Sequence, residues 1–377
     1  MSEAFILSAV RTPVGIGKRG GGLSSCSPIN LGAMLLEEVI RRSRIKPEAI
    51  DDVIWGCVTQ KGDQGANLGR LTALRAGIPP SVPAVTINRM CGSSQQAIHF
   101  AAQAILSGDM DLVIAGGTEM MSHEPIGSDW PEEWPSDFPY ALVHQGESAE
   151  LMAQKWNLDR EALDDFAYQS HWRAMAAIQK GYFDQQIMPV PLQAGGVMTT
   201  DEGVRIPPDR EKMRALRPAF KADGVITAGN SSQISDGAAA VVVVSPKLIG
   251  RYNLIPRAKI IGRVVVGSDP VLMLDGPIHA TKLVLERTGL SLEDMDVIEI
   301  NEAFASVVLA WQTEFQADMG KVNPNGGAIA LGHPTGATGG ILMTKLLHEL
   351  ERMNGRYGLQ TMCIGHGMAT ATIIERI

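Results

Sequence analysis

Hydrophobic residues along this chain recur with two different periods, and together they predict strands that alternate with helices. In the N-terminal part, Leu31, Leu35 and Val39 lie at helical spacing, and a second helix is predicted through Leu71 and Leu74. The short apolar runs that predict buried strands here are residues 4–10, 52–58 and 111–115. This alternation is typical of an α/β protein in which helices cover both faces of a parallel sheet.

The pattern changes between residues 118 and 232. A segment at 130–135, rich in proline and tryptophan, has the composition of a loop, a pair of helices is predicted between 147 and 180, and irregular chain continues to Asn230. Regular alternation returns with the apolar run 237–244, which is typical of a strand in the centre of a sheet. We therefore interpret residues 118–232 as an inserted domain.

The C-terminal part repeats the order of elements of the N-terminal part. The matched features are residues 296–300 with 52–54, the turn at His333 with the turn at Cys91, residues 341–350 with 97–106, and residues 359–363 with the strand at Asp111. A duplicated unit places equivalent turns side by side across a pseudo-twofold axis. The predicted division is an N-terminal half of residues 1–117 and 233–252, the inserted domain of residues 118–232, and a C-terminal half of residues 253–377.

Cys91 lies where a predicted strand at residues 85–87 leads into a predicted helix that ends at Gly108. The first backbone N–H groups of a helix are unpaired and its dipole is positive there. We therefore expect a thiolate at this point to be stabilised and the pKa of Cys91 to be lowered. The position predicts a nucleophile. The alternative is a small buried thiol with a packing role.

Three further stretches place reactive or polar side chains in glycine-rich turns. They are residues 301–304 with Asn301, residues 332–334 with His333, and residues 363–367 with Cys363 and His366. Taken one at a time, Asn301 is explained as a helix cap, His333 as a loop histidine and Cys363 as a buried filler. Because they stand at corresponding strand ends of a duplicated fold, we favour one shared site with Cys91.

The composition narrows the classes of function. The net charge is −8 over 377 residues and no long basic run is present, which argues against a nucleic-acid partner. No apolar run is long enough for a membrane span, and the beginning of the chain lacks the pattern of a secretory leader. The four cysteines are widely spaced, so neither a disulfide framework nor a metal site is predicted, and a reducing compartment, the cytoplasm, fits best.

Basic residues are concentrated at one place in the inserted domain, and this concentration would suit a polyanionic ligand. The alternative is an ordinary solvated face. The residues are Arg205, Arg210, Lys212, Arg214, Arg217 and Lys221.

The motifs resemble the signature of the thiolase family, the acetyl-CoA C-acyltransferases, over essentially the whole chain. The matching stretches are residues 88–97, 301–304, 325–334 with 336–339, and 363–365. The resemblance implies a thiolase fold, with two similar α/β halves whose central mixed sheets pack in αβαβα layers, plus an inserted loop domain. It also implies cleavage of a 3-oxoacyl-CoA by CoA to acetyl-CoA and a shortened acyl-CoA, or the reverse Claisen condensation.

The resemblance assigns a role to each reactive residue. Cys91 would attack the β-ketone as a thiolate, and His333 would take the thiol proton and polarise a thioester oxygen. Cys363 would protonate the carbon of the departing acetyl-CoA enolate. Asn301 resembles the residue that holds a water which, with His333, forms an oxyanion hole, and the N–H groups of Cys91 and Gly365 would form a second one. No metal is required.

Coenzyme A and acetyl-CoA enter as substrates, and no permanently bound cofactor is implied. Arg205 resembles the residue that stacks on the adenine ring, and Lys212 lies at a position that contacts the nucleotide. Ser232 resembles the pantetheine contact. His144 matches a histidine of the loop domain that stands beside the acyl pocket.

Three features depart from the usual family pattern. Residues 118–144 are fewer than in typical acetoacetyl-CoA thiolases, where the extra loop assembles a tetramer, so we expect a homodimer. Gln145 stands where short-chain biosynthetic members have methionine. His366 stands where the family usually has glycine, and it would contact the acyl group or tune Cys363; the alternative is a partly exposed loop imidazole.

The leading interpretation is a degradative thiolase of the β-oxidation type that acts on longer or ring-derived acyl chains. A biosynthetic acetoacetyl-CoA thiolase has the same chemistry and a different pocket. A ketosynthase-like condensing enzyme typically has histidine at the position of Asn301 and no counterpart of Cys363. A non-catalytic CoA-binding subunit would not need Cys91, His333 and Cys363 together, yet all three are present.

Overall fold

The computed structural model describes residues 3–377, so the first two residues of the predicted N-terminal half lie outside the described part. The strands are β1 (Phe5–Arg11), β2 (Gly15–Ile16), β3 (Asp52–Gly56), β4 (Ala84–Ile87), β5 (Leu112–Met120), β6 (Val190–Pro191), β7 (Val197–Met198), β8 (Ser235–Val244), β9 (Ala258–Gly267), β10 (Val297–Ile300), β11 (Tyr357–Ile364) and β12 (Met368–Arg376). The helices are α1 (Pro28–Ser43), α2 (Leu68–Arg75), α3 (Ser93–Ser107), α4 (Gln145–Lys155), α5 (Arg160–Gln179), α6 (Arg210–Arg214), α7 (Pro246–Tyr252), α8 (Gly276–Thr288), α9 (Ala305–Phe315), α10 (Ala328–Leu331) and α11 (Thr335–Met353).

The main sheet has the strand order β10-β11-β12-β9-β1-β8-β5-β3-β4, and its two halves follow one plan. In the N-terminal half, counted outward from the junction of β1 with β9, β8 pairs antiparallel with β1, β5 pairs antiparallel with β8, and β3 pairs parallel with β5. The series β9-β12-β11-β10 has the same sequence of pairings. Strand β4 then pairs parallel with β3, and a parallel bridge from Ile298 to Val322 takes the same place beside β10. The predicted fold of two similar α/β halves with mixed sheets is confirmed.

The all-parallel sheet suggested by the alternation of strands and helices is wrong. Strands β1 and β9 and the strands that pair with them, β8 and β12, run antiparallel to their neighbours. The reason is the connectivity: β8 follows the long inserted segment and β12 follows β11 through a hairpin, so neither is joined to its neighbour by the crossover helix that a parallel pair requires.

Helices α3 and α11 lie side by side between the two halves of the main sheet. A single apolar cluster joins Ala97, Ile98 and Ala101 of α3 and Leu346 of α11 to strands of both halves. Helices α1 and α2 cover the outer face of one sheet, and α8 and α9 cover the outer face of the other. The result is five layers in the order αβαβα, in which the most buried helices carry mainly small and aliphatic residues.

The two central helices approach closely at their N-terminal ends. A Cβ atom on Gly339 would lie 2.3 Å from the backbone nitrogen of Gln95, which is nearer than any real contact. At the same contact the hydroxyl of Ser94 accepts a hydrogen bond from the N–H of Gly340 at 3.0 Å. Glycine is therefore required at position 339, and the turns that precede α3 and α11 are held next to each other.

A buried carboxylate fixes the beginning of α11 to the N-terminal half. Glu119 lies near the end of β5 and accepts hydrogen bonds from the N–H groups of Val58 and Gly336 at 2.8 and 2.9 Å. Its burial raises its pKa, and these donors act in the opposite direction. Strand β5 continues to Met120 along β8, five residues beyond the strand predicted at residues 111–115, so Gly116 and Gly117 lie inside the strand.

The inserted segment has less regular structure than the two halves. No helix or strand is present between β5 and α4, and α4, α5 and the short α6 follow. Within residues 3–377, no helix is both long enough and apolar enough to cross a membrane.

Replacement of Leu346 with Ala should destabilise the protein by about 3 kcal/mol, because it leaves a cavity between two sheets that cannot close around it. Leu346 is fully buried in the central layer. The free energy of unfolding from urea titration measures the effect. The control is Leu74→Ala on α2, where the side chain is 41% exposed and the change should be below about 1 kcal/mol. Equal losses in both variants would contradict the central role of this layer.

Candidate active site

Cys91 occupies the turn between β4 and α3, as the sequence predicts. Gly92 is the N-cap of α3, and Met90 has a φ of 45°, so the chain reverses sharply just before the thiol. The Cys91 side chain is 6% exposed and packs against Met362 and Ile364 of β11. The N–H groups of Gly365 and of Cys91 itself point at its sulfur and lower its pKa.

The predicted lowering of the Cys91 pKa is wrong for the protein without substrate. Burial raises the pKa to about 11, and this effect exceeds the opposite effects of the two N–H groups and of the Gln145 side chain. The helix terminus stabilises a thiolate only where the thiol keeps some contact with water or with a cation. Cys91 is therefore a neutral thiol at rest and needs a base.

His333 lies in the turn between α10 and α11 and is oriented by Thr338. Its Nδ1 is 2.7 Å from the Thr338 hydroxyl, and that hydroxyl donates its only hydrogen to the carbonyl oxygen of Pro334 at 2.9 Å. Thr338 must therefore accept from Nδ1–H, which leaves Nε2 with a free electron pair. Burial lowers the pKa of His333 to about 4, so the ring is a neutral base at pH 7.

Asn301 follows β10 and faces the free nitrogen of His333. Its Nδ2 lies 3.4 Å from Nε2 of His333, and its backbone N–H donates to the carbonyl oxygen of Thr361 at 3.1 Å. Its Oδ1 is buried with no hydrogen-bond partner among the residues described. An unpaired buried oxygen is suited to a hydrogen bond from water or substrate. The structure thus brings Asn301 and His333 together.

Cys363 lies near the end of β11 and is 2% exposed. Burial raises its pKa strongly, and the charge of a Cys91 thiolate raises it further. The two cysteines lie near each other because Cys91 packs against Met362 and Ile364, the residues on either side of Cys363. All four cysteines are free. In the described part of the chain, His333 makes no direct hydrogen bond with either cysteine, so a proton transfer between them requires a small movement or a bound substrate.

A cavity of about 390 Å³ opens above Cys91. Its wall includes Gly365, His144 and Gln145. His366, which is at the tip of the β11–β12 hairpin, also lines the cavity. His144 is the N-cap of α4, accepts a hydrogen bond from the N–H of Gly146 and stacks on Phe220 at 5.1 Å between ring centroids. His144 and Cys91 thus line the same cavity.

Arg205 and Lys212 share a second cavity of about 460 Å³, which Gln233 also lines. The carbonyl oxygen of Gln233 accepts from the N–H of His333 at 3.1 Å, so this cavity borders the turn that holds the base. Ser232 is half-buried beside the Asn301 turn, where its N–H donates to the carbonyl oxygen of Ala303 at 2.9 Å. Of the residues predicted to contact coenzyme A, Arg205 and Lys212 thus share one cavity, and Ser232 is next in sequence to Gln233, which lines it.

The basic residues that are concentrated in the inserted domain fall into two groups. Arg210 pairs with Asp165 at 3.0 Å, Lys212 with Asp209 at 3.1 Å, and Arg214 with two carboxylates at 3.4 Å, all near the surface. Over residues 3–377, no carboxylate lies within salt-bridge distance of the other cations, which are Arg205, Arg217 and Lys221. The local ion pairs make part of the cluster an ordinary solvated face, and the unpaired cations are better candidates for an anionic ligand.

Two functional residues were not assigned a role from the sequence. Thr338 orients His333, and its position in the first turn of α11, shortly after the histidine, was the signal that could have indicated it. Gln145 contacts the sulfur of Cys91, whereas the sequence showed it only as a departure from a methionine. No cluster of side chains suited to a metal ion occurs in the described part of the molecule.

A buried thiol with a neutral imidazole base, a second buried thiol beside it and converging N–H donors define an enzyme that transfers acyl groups through a cysteine. Two family models match the chain: the thiolase N-terminal domain over residues 4–247 and the thiolase C-terminal domain over residues 254–376. The chain therefore belongs to the thiolase family, and it is an acyltransferase that uses coenzyme A as a substrate.

Similar proteins match over their full lengths. The chain is 48% identical to a steroid 3-ketoacyl-CoA thiolase of Mycobacterium tuberculosis, covering 100% of this chain and 95% of that protein. It is 44% identical to a 3-oxoadipyl-CoA/3-oxo-5,6-dehydrosuberyl-CoA thiolase of Escherichia coli, with 100% of both chains covered. The crystal structure of a Bacillus anthracis acetyl-CoA acetyltransferase superposes with a TM-score of 0.93 at 38% identity, covering 100% of this chain and 99% of the other.

Replacement of Thr338 with Val should lower kcat by about 10- to 100-fold, because it removes the acceptor that selects the Nδ1–H form of His333. KM should change little, since Thr338 contacts the base and not the CoA cavity. Steady-state thiolysis measures both constants. Thr344→Val on the same helix is the matched control, because its buried hydroxyl bonds only the carbonyl oxygen of Gly340. Full activity of the Thr338 variant would contradict the assigned orientation of the base.

The alkylation of Cys91 by iodoacetamide in the absence of substrate should rise about tenfold per pH unit from pH 7 to pH 10. The reason is that the thiolate reacts and the pKa is about 11. The rate is measured from the Cys91 peptide by mass spectrometry, with a small-molecule thiol as reference. A plateau below pH 9 would instead indicate a resting thiolate paired with imidazolium.

Proposed function

We propose that this thiolase works in the degradative direction, cleaving 3-oxoacyl-CoA substrates with longer or ring-derived acyl chains through an acyl-Cys91 intermediate. The observation that carries the proposal is the pair of buried thiols, Cys91 and Cys363, of which Cys91 lines a cavity with aromatic walls. One thiol is needed to hold the acyl group and the other to move a proton at carbon. Carbon–carbon cleavage of this kind requires both.

The first half of the reaction follows from the neutral resting state. Nε2 of His333 takes the Cys91 proton as the thiolate attacks the ketone carbon of the substrate, and the N–H groups of Cys91 and Gly365 receive the developing oxyanion. The bond between the α and β carbons then breaks. The electron pair passes to the acetyl-CoA fragment as an enolate, which is stabilised by the protonated His333 and by a water held on Asn301, and Cys363 gives its proton to the enolate carbon.

The second half restores the enzyme. Cys363 is now a thiolate and takes the proton of the incoming CoA thiol, which attacks the acyl group on Cys91. The oxyanion is again received by the N–H groups of Cys91 and Gly365. Cys91 departs as a thiolate and recovers its proton from His333. Protons balance over the cycle, and each thiol begins and ends protonated, in agreement with the raised pKa of Cys91 and Cys363.

The cavity that Arg205, Lys212 and Gln233 line, which borders the His333 turn, supports the placement of coenzyme A. Arg205 and Lys212 would contact the nucleotide, and Ser232 the pantetheine. Phe220 would form part of the channel wall, since it lies 6.0 Å from Phe304 and stacks on His144. This arrangement directs the thioester toward Asn301.

The degradative direction is supported by the pocket and by the relatives. Gln145 and two tryptophans line the cavity of about 390 Å³ above Cys91, and two of the relatives are named as thiolases of steroid and oxoadipyl substrates. The alternative is biosynthetic acetoacetyl-CoA formation, for which the similarity to an acetyl-CoA acetyltransferase is the supporting observation.

A homodimer is proposed because β4 is an edge strand that leads directly to the Cys91 turn. Val85 on this strand and Phe100 on α3 are about 40% exposed, and an apolar edge of this kind is suited to pairing with a second copy. The cytoplasmic location stays a prediction, and the four free cysteines are compatible with it.

The decisive experiment measures CoA-dependent thiolysis over acetoacetyl-CoA, linear 3-oxoacyl-CoAs of medium and long chain, and a ring-bearing 3-oxoacyl-CoA. We expect kcat/KM to be highest for the long or ring-bearing members. A maximum at acetoacetyl-CoA would move the enzyme to the biosynthetic class. The absence of thiolysis for every substrate would support a non-catalytic CoA-binding subunit.

The roles of the two thiols are separated by Cys363→Ala. This variant should still form an acetyl-Cys91 adduct with acetyl-CoA, seen by mass spectrometry, while its thiolysis falls by at least about 1,000-fold. Cys57→Ala is the matched control, because Cys57 is also buried and free but lies at the end of β3. Thiolysis that survives in the Cys363 variant would exclude its acid–base role.

A further inference from the structure

The irregular segment between β5 and α4 directs a group of aromatic side chains toward His366. The ring of His366 lies 5.8 Å from that of Trp130 and 6.1 Å from that of Trp134, and Trp134 lies 5.7 Å from Phe138. Each of the two tryptophans is 43% exposed. Exposed aromatic rings that are grouped around a cavity are typical of ligand-binding surfaces. We call Trp130, Trp134, Phe138 and His366 the aromatic subsite.

The aromatic subsite lies between two cavities. The cavity of about 390 Å³ that contains Cys91 is lined by His366, Trp130 and Trp134. Another cavity lies on the other side of the subsite and is lined by His366, Trp134 and Phe138. Its volume is also about 460 Å³, but it is distinct from the cavity that Arg205 and Lys212 line. Because His366 and Trp134 belong to both, an acyl chain attached to Cys91 that fills the first cavity reaches the subsite with its far end. The space is lined by aromatic rings, which suits a ring-bearing chain better than a thin linear one.

His366 has an unsatisfied ring in an unusual backbone conformation. Its φ is 63°, a left-handed value that glycine adopts at lower energy, and its Nδ1 is buried without a partner among the residues described. The other nitrogen, Nε2, is not among the buried unpaired atoms, and no hydrogen bond joins it to another group within residues 3–377. The left-handed φ and the unpaired Nδ1 are unfavourable for the protein alone, and because His366 lines both cavities, its Nε2 can bond an oxygen atom of a ligand.

The negative charge of the surrounding segment favours a neutral oxygen on the ligand over an anionic one. Four exposed carboxylates stand on the same segment as the tryptophans, and the cation that contacts it is Lys61, whose Nζ donates to the carbonyl oxygen of Ser128 at 3.0 Å. An anionic substituent would be repelled at this place. A ketone or hydroxyl oxygen carries no such penalty. The four carboxylates are Asp129, Glu132, Glu133 and Asp137.

We propose that the aromatic subsite binds the distal ring of a ring-bearing 3-oxoacyl-CoA and that Nε2 of His366 hydrogen bonds a neutral ketone or hydroxyl oxygen on that ring. The inference rests on the proposed thiolase reaction and specifies the substrate class of the same site. The tryptophan rings pack against the ring of the substrate. His366, three residues after Cys363, binds the oxygen on that ring. His366 is a specificity residue with no part in bond cleavage.

The test uses three 3-oxoacyl-CoA probes that share one saturated bicyclic skeleton. The first has a ketone on the distal ring, the second has none, and the third has a carboxylate there. We expect the full-length enzyme to show kcat/KM about tenfold higher for the ketone than for the unsubstituted probe, the ratio that one hydrogen bond provides. The carboxylate probe should be the poorest of the three.

Two substitutions of His366 separate its hydrogen bond from its ring. His366→Phe keeps the ring and should lower the ketone-to-unsubstituted ratio from about ten to about one. His366→Gln keeps a polar atom near the position of Nε2 and should retain part of the ratio. Both variants carry the same left-handed φ, so the difference between them reports the side chain. His279→Phe on the exposed face of α8 is the matched control and should keep the full ratio.

The ring contact is tested with Trp130→Ala and Trp134→Ala, which should each lower kcat/KM for the ring-bearing probes about 10- to 100-fold relative to acetoacetyl-CoA. Trp172→Ala on α5, where the side chain is 39% exposed, is the matched control. Formation of acetyl-Cys91 from acetyl-CoA verifies that each variant is folded and reactive.

The outcomes are distinguishable. A ratio near one in the unchanged enzyme, a ratio that His366→Phe does not alter, or a preference for the carboxylate probe overturns the proposed subsite while leaving the thiolase reaction intact. Failure of all substrates to be cleaved, with no acetyl-Cys91, instead overturns the proposed function on which the inference rests.

Discussion

The close contact between α3 and α11 is the constraint on which the active site depends. A side chain at Gly339 would collide with the backbone at Gln95, and a Cβ on Gly117 would lie 2.3 Å from the carbonyl oxygen of Gly336. These glycines let two helix N-termini from different halves approach each other, the end of β3 and the interior of β5. Because Cys91 precedes one helix and His333 the other, the contact fixes the nucleophile relative to its base. The glycine-rich turns are rigid parts of the site.

Burial then decides the chemistry that this geometry supports. A helix N-terminus stabilises a negative charge by about 0.3–1 kcal/mol at an exposed site and up to about 2 kcal/mol when partly buried. Burial raises the pKa of Cys91 from its usual value to about 11, which corresponds to about 3 kcal/mol against the thiolate. Desolvation therefore exceeds the helix effect, and Cys91 and His333 remain uncharged until a substrate arrives. Charge is created only where an acyl-CoA can receive it, so the resting thiol is protected from side reactions.

Local signals were sufficient to predict much of the fold and the reactive residues. The strand-to-helix turn at Cys91, the turns at Asn301 and His333 and the strand that ends after Cys363 all lie where the sequence places them, because each has glycines and apolar runs beside it. Long-range effects could not be read in this way. The antiparallel direction of β8 depends on a long connection, the raised pKa of Cys91 depends on surrounding layers, and the His333 tautomer depends on where the Thr338 hydroxyl donates.

Catalysis and selectivity are built from different kinds of structure. Cys91 and His333 lie in the turns that lead into α3 and α11, and Cys363 lies in β11, where any shift would disturb close packing on both sides. The tryptophans of the acyl cavity belong to a segment without helix or strand, whose side chains can change without loss of a hydrogen-bonded ladder. His366 connects the catalytic residues with the acyl cavity. The β11–β12 hairpin carries Cys363 near the end of β11 and the imidazole of His366 at its tip. A substitution at this tip can therefore change the acyl group accepted while the position of the acid–base thiol stays fixed.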